Sequence, residues 1–590
     1  MEVAATFIKS GLSSLRCKKL ILILVGMLGL FVAPGAYAQL LISKTISVDQ
    51  NIPDRGQYVS SFTWADHSGL ATIADVNVGL SLSSAAGTTM RLGQIYATLT
   101  FGTASEGSRT AVLLNREGVT SSSAFGNALS SLNVTLDDSA ANNIFFATNG
   151  TGTFAADGRL GVNPYGARVA YSTNQITAGL AALNGEWLSS SVWSLLVADV
   201  QAGNTAKLNS WSLQVQGSAP TSGTFDPGEG STVTGSGSID STLTTGSGGS
   251  RTVSVAEGQS LSLAGGLTGS GTLATAGGGT TVLAGSSTGF TGVVSVGGTG
   301  TTEIVSRTAL GGGTLVQSNG SSTVKFNFSG TLSNAINVYR VAFATNGTTL
   351  AGTTTVNNAS FEVGEGNTNS ISGVITGPGG VTKTGLGTLL LAGAQPNDFS
   401  GTSAVYAGTL VLQKSSGSAI SGGTIALHGG TLLLGAANQI SDATAVTLNG
   451  GVLNTGGFAD RVGVLSITAN SAISGLVTSS GGVAGGSDFL FSGVDLSTYA
   501  GGGGALLNLT GVGYLQSVNL ASSSYTGWAG YSSANLNSFA DKVMFGETGM
   551  KAQISFNATS GLTYVTAIPE PKVYVAAGML VALVGLTEYN

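Results

Sequence analysis

Residues 379–412 read GGVTKTGLGTLLLAGAQPNDFSGTSAVYAGTLVL. Short alternating runs such as Thr388–Leu391 and Thr409–Leu412 are separated by glycine and small polar residues. Four residues are too few for an amphipathic helix but suit a short strand. The pattern recurs. GTTVLAGSSTGFTG at Gly279–Gly292 has the frame of GTLLLAGAQPNDFSG at Gly387–Gly401: Gly-Thr, three strand residues, Ala-Gly, a small loop and Phe-[Ser/Thr]-Gly. YAGTLVL (406–412), HGGTLLL (428–434) and NGGVLNT (449–455) follow, and the glycines that open their strands, Gly408, Gly430 and Gly451, stand 22 and 21 residues apart. That period fits one turn of a β-solenoid, with Leu, Val and Ile inside, Thr and Ser outside, and glycine at sharp corners.

Composition sets the wider class. Charged residues are 8% of the 590, against roughly 25% in an ordinary globular chain. Glycine is raised to 92 residues while proline stands at nine. Low charge with much glycine can mean disorder, but 42% apolar residues in regular alternation argue for packed strands. The net charge of −6 gives no basic face for nucleic acid. The chain is expected to be all-β: an N-terminal β-sandwich over 39–217, a linker and start of repeats over 218–250, and a right-handed parallel β-solenoid over 251–480. A small β region over 481–566 would cap it.

Both termini carry processing signals. Lys9, Arg16, Lys18 and Lys19 precede the uncharged run Leu20–Ala33, and Pro34-Gly35-Ala36-Tyr37-Ala38 follows. This is a secretory signal over 1–38, with Ala36 and Ala38 as the small residues that signal peptidase needs and Gln39 as the first mature residue. The single cysteine, Cys17, leaves with it, so neither disulfides nor thiolate chemistry are expected in the mature chain. At the other end, Pro569-Glu570-Pro571 precedes the apolar run Val573–Leu586. Its 14 residues fall short of the roughly 20 that a membrane-spanning helix needs.

Three resemblances add to this reading. WSLLVADVQAGNTAKLNSWSLQV (193–215), with Asn51-Ile52-Pro53-Asp54, Val134–Ala140 and Leu183-Asn184-Gly185, resembles the P domain of proprotein convertases, which implies a jelly-roll sandwich. Residues 379–412 resemble the autotransporter-associated β-strand repeat of bacterial surface proteins. Segment 567–590 resembles the PEP-CTERM sorting signal of Gram-negative bacteria, which implies that an exosortase, a membrane transpeptidase-like enzyme, reads Pro569, Glu570 and Pro571. Relatives end in an Arg/Lys cluster, where this chain reads Thr587-Glu588-Tyr589-Asn590.

The functional expectation is a secreted, non-catalytic surface or extracellular-matrix protein, exported, transiently anchored, then released. Exopolysaccharide or other surface proteins are its expected partners, and no cofactor is expected. Asp137 and Asp138 are the candidate ligands for a hard cation such as Ca²⁺; the alternative is that they cap a turn. The rival function is a polysaccharide-degrading enzyme of the β-helix type, which needs paired carboxylates. Glu257, Glu303, Glu362, Glu365, Asp398, Asp442 and Asp460 are scattered through the repeats with no recurring pair. His67 and His428 lie in different domains, and neither sits in a triad-like motif. A self-translocating autotransporter would need a C-terminal membrane barrel, for which 484–590 is too short and irregular.

Overall fold

The computed structural model describes residues 39–569 apart from 64–69, 87–88, 104–106, 161–170, 188–191, 479–487, 503, 511, 513–516 and 547–549. Strand makes up 53% and helix 6%. The N-terminal region holds two antiparallel sheets. In one, Thr72–Ser84 pairs with Ala206–Ser218 and Ser131–Leu136, and Gln39–Asn51 pairs with the other edge of Ala206–Ser218. The other orders Gln57–Thr63, Val192–Asp199, Ile95–Thr103 and Gly107–Asn115. Alternate residues of both, such as Val78, Leu80 and Leu82 against Leu195, Val197 and Leu99, enter one core. Trp211 bridges the sheets, its indole N–H donating to Ser60 Oγ at 2.9 Å and its ring lying 5.6 Å from Phe62. Trp193 stacks on Phe101 at 4.3 Å.

Between Thr224 and Met544 the strands pair with one another in parallel and build a β-solenoid of about 16 turns. Most turns, here called rungs, have three short strands, one on each of three faces. The third face shows the design. Thr388–Leu391, Thr409–Leu412, Thr431–Leu434 and Val452–Asn454 stack in register, Leu389 on Leu410 on Leu432 on Leu453. The second and fourth positions point inward and are buried, while the threonines point out. Between faces the chain must turn within a few residues while stacked corners nearly touch. Gly408, at φ +64°, shows why glycine is needed: a Cβ there would meet the Gly387 carbonyl oxygen at 2.2 Å.

Parallel ladders run through 300–370 on two faces. The third face is interrupted between Phe290 and Gly330, where turns replace the strand and Leu310 fills the interior. The rungs extend beyond 251–480. They begin within 218–250 and continue past 480, with Phe489–Val494 on Asp460–Leu465 and Val543–Met544 on Leu507–Asn508. A rung requires inward apolar residues at alternate positions, not the Gly-Thr frame by which the repeats are recognised. One ten-residue helix, Ser533–Lys542, enters the C-terminal region that had been expected to be all strand. Ser532 Oγ caps it by accepting from Asn535 N–H at 3.0 Å, and Phe539 is buried against Tyr499.

One face of the stack is covered in the same way at each end. Gln39–Ser43 lies antiparallel on Thr232–Ser236 at the start. At the finish, Leu562–Pro569 of the hairpin formed with Met550–Asn557 lies antiparallel on Ser517–Ala521.

The inward and outward assignment can be checked in one rung. Leu432→Asp puts a carboxylate where Leu432 is fully buried and should cost on the order of several kcal/mol. Thr431→Ser, on the outer surface, should melt with the parent. Equal thermal melts of both variants and the parent would refute the assignment.

Candidate functional site

The outer surface of the solenoid is the extended feature that the repeats create. Outward positions of successive rungs fall in register: Thr280, Thr301 and Thr323 on the second face, Thr388, Thr409 and Thr431 on the third. At one strand spacing, about 4.8 Å, these hydroxyls form rows along the stack. Some pair with each other, Thr349 with Ser370 at 2.8 Å and Thr402 with Thr424 at 3.0 Å. Charge is sparse. Glu303 is held by Lys325 at 3.1 Å and by Asn327 Nδ2 at 2.7 Å. His428 belongs to such a column as well: its ring stacks on the half-exposed Tyr406 at 4.5 Å, and its Nδ1 accepts from Asn449 Nδ2 at 2.9 Å. This is a ladder of planar side chains, not a base beside a nucleophile. His67 lies outside the described residues.

Beneath this surface, buried polar side chains complete the corners, and the sequence reading missed them. The Lys383 ammonium, fully enclosed, donates to the carbonyls of Thr384 and Gly385 at 2.7 Å and of Ala407 at 3.3 Å. Burial pushes its pKa down to about 8. Asn397 accepts from Ile375 N–H and donates to the Ala419 carbonyl. Gln439 accepts from Lys414 N–H. The available signal was a single polar residue at a strand end, among them the lysine inside GGVTKTG.

A groove of about 480 Å³ opens where the last rungs meet the closing hairpin, lined in part by Asp442, Asp460, Arg461, Asp488 and Ser560. Two of the carboxylates scattered through the repeats, Asp442 and Asp460, therefore share a wall with a third. Asp460 is not free for proton transfer to a ligand: it accepts backbone N–H bonds from Gln439, Ile440 and Arg461. Burial pushes its pKa up to about 6 against the opposing pull of those bonds. Asp488 accepts from Asn519 Nδ2 at 3.1 Å. A second ionisable cluster is buried in the N-terminal region, where Arg159 pairs with Asp157 at 2.6 Å. Burial, and then the Asp157 charge, push the neighbouring Glu117 well above the usual carboxylate range.

Asp137 and Asp138 adjoin the strand Ser131–Leu136, and both serve backbone amides. Asp137 Oδ1 accepts from Ser139 N–H and Asp138 Oδ2 from Ala181 N–H, each at 2.7 Å. Their charges add to burial in raising the pKa of Asp75. Among the described residues no group of three or more His, Cys, Asp or Glu is placed to hold a metal ion. Gln39 opens a strand of 13 residues, and Pro569 closes the strand that caps the stack. Ala36, Ala38, Glu570 and Pro571 lie outside the described residues. No described helix is long and apolar enough to cross a membrane.

No family model matches the chain, and no curated protein matches it. A crystal structure of an Aeromonas sobria serine protease in complex with a chaperone matches 33% of this chain at 18% identity and a TM-score of 0.17. The match spans 29% of that protein's own chain, and a score so low carries no argument about fold or function.

The raised Asp460 pKa has a definite consequence for stability. In the unfolded chain the carboxyl ionises near 3.8, whereas in the folded protein it keeps its proton to about 6. Its stabilising contribution is therefore full below about pH 4 and is lost as pH rises through 6. Asp460→Asn, which retains an acceptor oxygen, should flatten the fall in melting temperature between pH 4 and 6. An unchanged slope would show that Asp460 does not titrate there.

Proposed function

We propose that this chain is a secreted, non-catalytic surface or extracellular-matrix protein of a Gram-negative bacterium, which uses its solenoid as a stalk with an adhesive flank. The observation that carries this reading is the uncharged ladder surface: rows of threonine and serine hydroxyls in register over four rungs at a time, such as Ser260, Thr280, Thr301 and Thr323 or Thr368, Thr388, Thr409 and Thr431. Such rows suit weak, repeated hydrogen bonding to a hydroxyl-rich polymer such as exopolysaccharide, or to neighbouring chains. Repetition then supplies the affinity that one contact lacks. The two N-terminal sheets are read as a P-domain-like jelly-roll sandwich that begins the mature chain.

In this reading signal peptidase cuts after Ala38, and an exosortase-type enzyme reads Pro569-Glu570-Pro571 and frees the protein from the membrane. Both points adjoin paired strands: Gln39 pairs with Ser218 and Ser236, and Pro569 pairs with Met550. Removal of the flanking segments at these points leaves both end closures in place, which supports the reading.

Intact-mass measurement of the secreted protein tests it. The released form should start at Gln39 and lack the apolar run Val573–Leu586. Glu570→Ala should trap the tailed form while the β domains still fold. A natural secreted form that ends at Asn590 would refute the sorting reading.

A further inference from the structure

The corner between the first and second faces is not uniform. Four residues, 297–300, make the turn in one rung, and five, 318–322, make it in the next. In the following rung Ile336–Phe343 runs through the corner as one strand, and only Tyr339 lies between Val338 and Arg340. Their partners one rung on, Val356 and Ser360, are separated by three residues, Asn357–Ala359. The corner therefore collapses to one residue between two fuller neighbours, which stand two strand spacings apart, about 10 Å. The result is a notch in the edge of the solenoid, with a volume of about 420 Å³.

The notch is held by a buried side chain. A one-residue corner gives Tyr339 N–H and Arg340 N–H no regular partner on the rung before. Gln317 Oε1 accepts both, at 2.8 and 2.9 Å. Its amide nitrogen donates to the carbonyl and hydroxyl oxygens of Ser322, which fixes the five-residue corner alongside. On the far wall Asn358 stands at φ +58°, with its Oδ1 accepting from Gly380 N–H. Gly320 stands at the overhanging corner, where a Cβ would already touch the Tyr339 side chain at 3.8 Å, so a longer side chain there would reach over the ring.

The lining has a definite chemistry. Tyr339 supplies a half-buried aromatic ring, and Arg340 and Glu362 supply one cation and one carboxylate. Asn358, Ser360 and Thr384 add an amide and two hydroxyls. Arg340 and Glu362 are in none of the direct ion pairs among the described residues. The charges balance, so a strongly charged ligand gains little. The lining is mostly polar, with Val341 its one aliphatic side chain, and suits neither a lipid nor a hydrophobic side chain. A pyranose meets each requirement: an apolar C–H face for the ring, and neighbouring hydroxyls that both donate to a carboxylate and accept from a guanidinium.

We infer that this notch is a binding subsite for one sugar unit of a neutral polysaccharide, with Tyr339 as the stacking platform and Arg340 and Glu362 as the hydroxyl-reading pair. It deepens, and rests on, the matrix reading above: the ladder rows give repeated contact, and the notch gives a place where a particular sugar is recognised.

Affinity electrophoresis of the mature chain through gels containing dextran, galactomannan or xyloglucan, with alginate as the acidic comparison, tests this. At least one neutral polymer should retard the protein. Tyr339→Ala should weaken that binding about tenfold, and Gly320→Leu, which fills the notch, should do the same. Both sites are at the surface, and unchanged thermal melts would show that the variants fold. Equal retardation of parent and variants would overturn the notch while leaving the ladder surface as the binding element. Retardation by alginate alone would overturn the neutral-sugar assignment. No retardation by any polymer would overturn both the notch and the polysaccharide-contact reading.

Discussion

Everything in the solenoid depends on the hydrogen-bond ladder between one rung and the next. A parallel rung accepts and donates on both sides, so a stack of any length still has two open edges. An uncovered edge is a template for another chain. This protein covers one face of the stack at each end with a strand running the opposite way: Gln39–Ser43 against Thr232–Ser236, and Leu562–Pro569 against Ser517–Ala521. The first of these strands also belongs to the N-terminal sheet through its pairing with Ala206–Ser218. The N-terminal region is thus continuous with the stack and serves as its cap. Reversal of strand direction matters because an antiparallel strand satisfies the edge without offering the parallel register that would continue the solenoid.

The same ladder explains the polar interior. A four-residue strand sends two side chains inward, and a three-strand rung has a narrow core. Where corner lengths differ between neighbouring rungs, backbone N–H and C=O groups lose their regular partners while remaining buried. Each such group would cost about 1–3 kcal/mol if left unpaired. Gln317, Asn397, Gln439, Asp460 and Lys383 take those places, each bonded to backbone groups of its own or a neighbouring rung. Asp460 holds three amides and keeps a raised pKa because burial outweighs them. These residues are costly to enclose, and they tolerate irregular corners that glycine alone could not make.

Legibility in the sequence follows from the same physics. Thr388–Leu391 and its counterparts 21 and 22 residues on were readable because the inward positions and the corner glycines repeat together. The start of the repeats within 218–250 was readable, but the rungs past 480 were not, since Phe489–Val494 is buried at almost every position and lacks both the strict alternation and the Gly-Thr frame. Ser533–Lys542 was missed because its one buried anchor, Phe539, gives too weak a helical period. Asp137 and Asp138 were legible as an acidic pair, but their amide partners at Ser139 and Ala181 depend on the fold, the latter across 43 residues of sequence. Tyr339 was invisible for a deeper reason. A notch is a difference between three consecutive corners, and no single stretch of sequence contains it.

What the surface can do is set by its low charge. With 8% charged residues, long-range attraction is weak and salt has little to screen. Recognition must then come from hydrogen bonds and ring stacking, which act only at contact and demand accurate placement. A flexible chain would spend much of that gain on ordering its own side chains, at about 0.5–1.5 kcal/mol for each one immobilised. In the solenoid, register pairing has already placed the outward threonines at a fixed spacing, and Gln317 has already fixed the backbone beneath Tyr339 and Arg340. The conformational cost is met in folding, so even feeble contacts remain favourable when they repeat. Rigidity along the stack is therefore what would let an almost uncharged surface serve the adhesive role proposed for it.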